Sequence, residues 1–174
     1  DLIPLYKKVK VRAIQTHGVE VKQAIAGERA AINLNNINLD QLHRGYHLSK
    51  QNTFEEKEMF VAEIKLINSK KYNIKNNQRV RIHLGTREVM SRISIINKNK
   101  DICMVLLKLE KALVPALNDR FIIRSYSPIH TIAGGKVVDF PNKQKWLTIK
   151  ENISGWTIMR NPYLVPIRNF IILI

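Results

Sequence analysis

The sequence predicts an all-β chain of two small antiparallel barrels in tandem, the first of them incomplete. Three observations carry that expectation. Apolar residues alternate with period two in segment after segment, the spacing of half-buried strands. Turn-forming residues separate these runs at short intervals, and no sustained 3.6-residue repeat supplies a crossover helix. The alternation also stops once, around residues 51–58, where Asn52-Thr53-Phe54-Glu55-Glu56 interrupts it. At 174 residues, with 45% hydrophobic and 25% charged content, the chain is long enough for two such units and too apolar to be disordered.

In chain order, Val9, Val11 and Ala13 oppose Lys8, Lys10 and Arg12 on the first strand, and residues 38–44 have room for one helical turn at most. The break then sets the division: residues 1–52 as a truncated barrel and 53–141 as a second barrel. Over residues 59–67, Phe60, Ala62, Ile64 and Leu66 should face inward while Val61, Glu63 and Lys65 face out. Val80, Ile82 and Leu84 alternate with Arg79, Arg81 and His83 in the same way. Asn97-Lys98-Asn99-Lys100-Asp101 reads as a hairpin loop. Cys103, Val105, Leu107 and Leu109 share the next inner face, against Lys108 and Glu110. Asn118-Asp119 reads as a tight turn, Phe121 and Ile123 alternate with Ile122 and Arg124, and Gly134-Gly135 reads as a bend or bulge. Residues 142–174 form a basic tail of irregular alternation, with five basic residues and one acidic. Its Trp146, Trp156 and Tyr163 are either core anchors or exposed aromatics, and we assign it no function.

Lys and Arg number 29 against 14 Asp and Glu, a formal net charge of +15. Such a balance favours a polyanionic partner, nucleic acid ahead of a membrane surface. Between residues 64 and 100 stand ten basic residues and a single acidic one, Glu88. That stretch is either a solvated strand face with lysine-rich loops or a surface that follows phosphates, and charge alone leaves both open. With 7% aromatic residues, base stacking is not the expected mode.

Other classes are disfavoured. One cysteine, Cys103, supports neither a disulfide framework nor a cysteine-rich zinc site. His43 and His47 have metal spacing only on a helix, which Gly45 opposes, so no metal is expected. Neither G-x-x-x-x-G-K-[ST] nor G-x-G-x-x-G occurs, and no serine sits in a G-x-S-x-G elbow. The chain is therefore not expected to be an enzyme by itself, and no cofactor is expected in it. A spanning helix needs roughly 20 unbroken apolar residues, and no run comes near that length. Without a signal peptide, and beginning at Asp1, the chain is expected to be a cytoplasmic fragment with no membrane association.

Two blocks carry a family resemblance. The first is Lys10-Val11-Arg12-Ala13-Ile14-Gln15, then Ala24-Ile25-Ala26-Gly27-Glu28-Arg29-Ala30-Ala31-Ile32-Asn33-Leu34, then Leu42-His43-Arg44-Gly45. The second runs from Arg81-Ile82-His83-Leu84-Gly85-Thr86-Arg87-Glu88-Val89 through Asn118-Asp119-Arg120-Phe121-Ile122-Ile123-Arg124 to Thr131-Ile132-Ala133-Gly134-Gly135-Lys136-Val137-Val138-Asp139. Over about residues 1–141 the chain resembles the second and third domains of translational GTPases of the elongation factor Tu superfamily, most of all the selenocysteine-specific elongation factors.

The resemblance implies that the barrels hold the acceptor end and T-arm of selenocysteyl-tRNA for delivery to the ribosome. GTP and magnesium would belong to a GTPase domain of the parent protein. Arg29 stands where the selenocysteine-specific factors carry an arginine lining the aminoacyl pocket, and elongation factor Tu typically has asparagine. A selenol is more acidic than a thiol of pKa about 8.5, so a guanidinium there rewards its anion over a neutral serine. Read as an isolated residue, Arg29 is instead a surface strand cation paired with Glu28 or Asp40. Arg124 and Thr131 match the family's T-arm motif, while His130 replaces its arginine; Arg81 and Arg87 are further tRNA-contact candidates. Relative to the family, the GTPase domain, the first strands of the second domain and any winged-helix domains are expected to be missing, and residues 142–174 do not follow the pattern. The rival readings are a docking module that mainly contacts protein, and the barrels of a related translational GTPase.

Overall fold

The computed structural model describes residues 1–68 and 72–141; the basic tail, with Trp146, Trp156 and Tyr163, lies outside the described residues, as do Lys70 and Lys71. The described residues are all-β, with one short 3-10 turn at Leu39–Gln41. They divide into two compact units, one of residues 1–56 with 85–87, the other of 57–84 and 88–141. Among the described residues no helix is long and apolar enough to cross a membrane.

In the first unit, β1 (Leu2–Ile3) pairs with β5 (His47–Leu48), and β2 (Val11–Thr16) is the centre of a three-stranded sheet between β3 (Val19–Val21) and β4 (Ala30–Leu34). The first strand begins at Val11 and bulges at Arg12, so Lys8, Val9 and Lys10 precede it. No residue of β2, β3 or β4 is fully buried. Leu2 and Ile3, by contrast, are almost completely covered. Gly45 takes a positive φ of 88°, a backbone conformation that side chains resist.

The second unit is a closed six-stranded antiparallel barrel, in the order β10-β11-β6-β9-β8-β7. Its strands are β6 (Lys57–Leu66), β7 (Arg79–Leu84), β8 (Arg87–Asn99), β9 (Ile102–Leu113), β10 (Arg120–Ser125) and β11 (Thr131–Asp139). Closure removes the exposed sheet edges on which chains aggregate. The interior is filled as the period-two pattern requires: Phe60, Ala62, Ile64 and Leu66 from β6, Val80, Ile82 and Leu84 from β7, Cys103, Val105 and Leu107 from β9, Phe121 and Ile123 from β10. Burying each large apolar side chain stabilises the fold by about 1.5–3 kcal/mol relative to leaving it in water. Phe60 and Phe121 meet edge to face, their centroids 5.5 Å apart.

Two expectations from the sequence fail, at Val61 and at Gly134-Gly135, and Ser91 is a further feature of the interior. Val61, expected outside, is fully buried together with Leu106, its register partner across β6 and β9. Ser91 is in the interior, the one fully buried polar side chain among the described residues, and its hydroxyl donates to the Lys108 carbonyl at 2.9 Å. Gly134-Gly135 is neither bend nor bulge: both pair regularly with β6 and β10 inside β11. Size is what selects the second glycine, since a Cβ on Gly135 would lie 2.5 Å from Phe121 Cζ and 2.9 Å from Ile64 Cγ2. The turns fall within the expected stretches, with Lys100 and Asn118 at φ 50° and 67°. The first is shorter than expected: Asn97, Lys98 and Asn99 pair with β9 as part of β8, leaving Lys100-Asp101 to turn.

Candidate nucleic-acid interface

Alternation on β7 sends Val80, Ile82 and Leu84 inward and therefore turns Arg79, Arg81 and His83 outward. On β10 the same rule exposes Ile122 and turns Arg124 outward. The antiparallel register then sets Arg81 opposite Arg124, and Arg124 opposite Thr131 on β11. Three sequence-predicted contact residues thus form one row across three strands. His130 adjoins it at the foot of β11. Its backbone N–H donates to Ser125 Oγ at 2.9 Å, and its ring lies 6.4 Å from that of Tyr72. Arg87 is the first residue of β8, beyond the Gly85-Thr86 turn, and groups with the first unit.

Residues that sequence reasoning passed over complete this face. Tyr126, 48% exposed, lies under two guanidinium groups, that of Arg79 4.8 Å and that of Arg81 5.6 Å from its ring centre. Arg79 makes a two-pronged pair with Glu110 of β9, Nε and Nη2 each donating at 2.7 Å. Arg81 donates through Nη1 alone to Glu88 of β8 at 2.5 Å, and His83 Nε2 lies 3.8 Å from the other carboxylate oxygen. The Arg81 hydrogen bond, with His83 and Arg124 nearby, holds the Glu88 carboxyl below its ordinary value. Arg79 does the same to Glu110. Nε of Arg81, Nε2 of His83 and Nε of Arg124 are buried with no hydrogen-bond partner among the described residues. The one sequence signal for this arrangement is the isolation of Glu88 among ten cations.

Arg29 belongs to the first unit, in the loop between β3 and β4, and is exposed one residue before β4 begins. The loop is shaped by a turn over residues 25–28. Glu28 N–H donates to the Ile25 carbonyl at 3.1 Å, and Ile25 N–H donates to Glu28 Oε2 at 2.9 Å. Gly27, at φ 95°, supplies the conformation this turn needs. The Glu28 carboxylate is thus engaged by backbone, and among the described residues Arg29 has no ion pair with it or with Asp40. Its guanidinium is presented to solvent as an uncommitted planar donor, suited to an oxyanion, a phosphate or a chalcogen anion.

Comparison with known proteins follows the same lines. Residues 61–144 match the family described as the selenocysteine-specific elongation factor, beta-barrel domain. A selenocysteine-specific elongation factor of Desulfomicrobium baculatum is 30% identical, over 80% of this chain and 23% of its own length. One from Methanocaldococcus jannaschii is 27% identical, over 86% of this chain and 37% of its own. Among solved structures, a bacterial selenocysteine-specific elongation factor EF-Sec superposes with a TM-score of 0.70 at 25% identity, covering 91% of this chain and 27% of that one. The apo form of translation elongation factor SelB from Methanococcus maripaludis shares the fold, with a TM-score of 0.69 at 21% identity over 83% of this chain and 36% of that one. The resemblance drawn from the sequence is borne out: the chain is similar to the β-barrel part of selenocysteine-specific elongation factors. It spans 23% and 37% of the two curated relatives.

Proposed function

We propose that this chain is the tRNA-holding part of a selenocysteine-specific translation elongation factor, with residues 1–52 from its second domain and 53–141 its third. In that reading it grips the acceptor end and T-arm of selenocysteyl-tRNA for delivery to the cytoplasmic ribosome. A GTPase domain of the parent, with GTP and magnesium, would couple nucleotide state to that grip. The observation that supports this most directly is the row of Arg81, Arg124 and Thr131 on a barrel similar to the family's. Phosphates tracked by such cations give an affinity that falls steeply with salt. Arg29 supplies the discrimination, because an exposed guanidinium stabilises a selenolate and gains little from a neutral hydroxyl.

The test is binding of the chain to selenocysteyl-tRNA and to the same tRNA carrying serine, over a salt series, with Arg29→Ala alongside. The selenocysteyl form should bind more tightly by about one charge-assisted hydrogen bond, 1.5–3 kcal/mol, and Arg29→Ala should erase that margin while leaving the salt dependence. Equal binding of both tRNAs by the unaltered chain would overturn the pocket assignment. Salt-insensitive binding, or none, would overturn tRNA recognition and favour a protein-docking role.

A further inference from the structure

Glu88 carries all the acidic charge between residues 64 and 100, and the fold puts it where cations crowd most. Arg81 and Arg124 are direct cross-strand partners, and like charges so placed destabilise a sheet unless something offsets them. Glu88 provides the offset through Nη1 of Arg81, with His83 beside it. The offset is incomplete, since three buried nitrogens, Arg81 Nε, His83 Nε2 and Arg124 Nε, have no hydrogen-bond partner among the described residues. Glu110 shows what a saturating carboxylate does on the same face, engaging both Nε and Nη2 of Arg79. Glu88 is single-pronged, its side chain 45% exposed, and it sits at the second residue of β8.

A backbone phosphate presents two charged non-bridging oxygens and pairs with arginine in the two-pronged manner that Glu88 leaves unused. We propose that Glu88 is a resident competitor for phosphate. Its carboxylate occupies Arg81 in the free chain, gives way to a backbone phosphate of RNA, and so limits how tightly this face grips. The inference rests on the reading that the Arg81–Arg124 face meets an RNA backbone, and it identifies the residue that sets the strength of that contact.

A fluorescently labelled short RNA duplex of arbitrary sequence, titrated with the full chain, tests this directly. The proteins are the unaltered chain, Glu88→Gln, Arg81→Ala, the Arg81→Ala/Glu88→Gln double variant, and Glu58→Gln, which makes the same charge change at an exposed position of β6. Glu88→Gln should bind about three- to five-fold tighter at low salt, the upper part of the roughly 1.4- to 5-fold range one exposed ion pair spans. Its log–log salt slope should change by less than the roughly 0.7–0.9 of one phosphate, because Arg81 neutralises the same phosphate in both proteins. Glu58→Gln should gain less than half as much, and the gain from Glu88→Gln should vanish without Arg81. Thermal melts in inorganic phosphate give a second reading, in which phosphate should raise the melting temperature of Glu88→Gln more than that of the unaltered chain. If the unaltered chain binds RNA and Glu88→Gln binds no tighter, or gains no more than Glu58→Gln, competition is wrong while RNA recognition stands. If the gain survives loss of Arg81, it is wrong as well. If neither protein binds RNA at any salt, the phosphate face and the competitor fall together.

Discussion

Two adjacent glycines on β11 differ sharply in what they tolerate. A Cβ on Gly134 meets nothing within 4 Å, whereas one on Gly135 would overlap the Phe121 ring at 2.5 Å. That ring is held edge to face against Phe60 in a closed core and has little room to give. Gly135→Ala should therefore cost about 1–3 kcal/mol, the usual range for forcing extra volume into a packed interior. Gly134→Ala should be neutral to slightly stabilising, and urea midpoints of the two variants check the contrast. The sequence shows Gly134-Gly135 only as a weak point in an alternating run, which is why it reads as a bend; the packing against Phe121 comes from a residue more than a dozen positions away. Arg29 lies at the opposite extreme of legibility. Its place beside the Ala26-Gly27-Glu28 turn is local, so the sequence locates it, and the structure adds that Glu28 is occupied by the Ile25 amide.

At the level of elements, β7 is tied to its neighbours by side chains as well as by its ladder. Arg81 reaches Glu88 on β8, and Arg79 reaches past β8 to Glu110 on β9. Both carboxyls are held below their ordinary value of 4.5, each by its arginine hydrogen bond first. A group whose folded pKa is depressed contributes stability above its unfolded pKa, and loses it as pH falls through the folded value. The chain should therefore lose stability as pH drops from about 4.5, and Glu110→Gln and Glu88→Gln should each flatten that decline. Both pairs are partly solvent-exposed, so each flattening should be small. Thermal melts between neutral pH and acid would show it, and parallel curves for all three proteins would remove these pairs from the stability account. Period two made β6, β7, β9 and β10 legible, since Val80, Ile82 and Leu84 alternate without exception. It was less informative for β8, where Ser91 faces the core and the ladder slips between Ile95 and Asn97. Nor does periodicity reveal register, so the row of Arg81, Arg124 and Thr131, drawn from three strands, could not be assembled from it.

Over the whole molecule, the positive charge is concentrated in one unit, while Arg29, the residue proposed to discriminate, lies in the other. Residues 57–141 contain sixteen basic and seven acidic residues, a net +9, whereas residues 1–56 contain eight and six, a net +2. Affinity for a phosphate backbone should thus come mainly from the barrel, and aminoacyl preference from the loop that presents Arg29. The barrel has what it needs to fold by itself: it closes, and its core cluster is drawn entirely from residues 60–137. Residues 57–141 produced alone should melt in a single cooperative transition, as small closed domains do. They should bind RNA with a salt slope close to that of the full chain, since the slope counts phosphates neutralised. They should not distinguish selenocysteyl-tRNA from seryl-tRNA, because Arg29 is gone. A fragment that folds but loses the salt slope would place the phosphate contacts on residues 1–56 or 142–174 and remove the barrel row from the interface. One that keeps both slope and preference would show that the discriminating cation lies in the barrel, and Arg29→Ala in the full chain would then have no effect on tRNA choice.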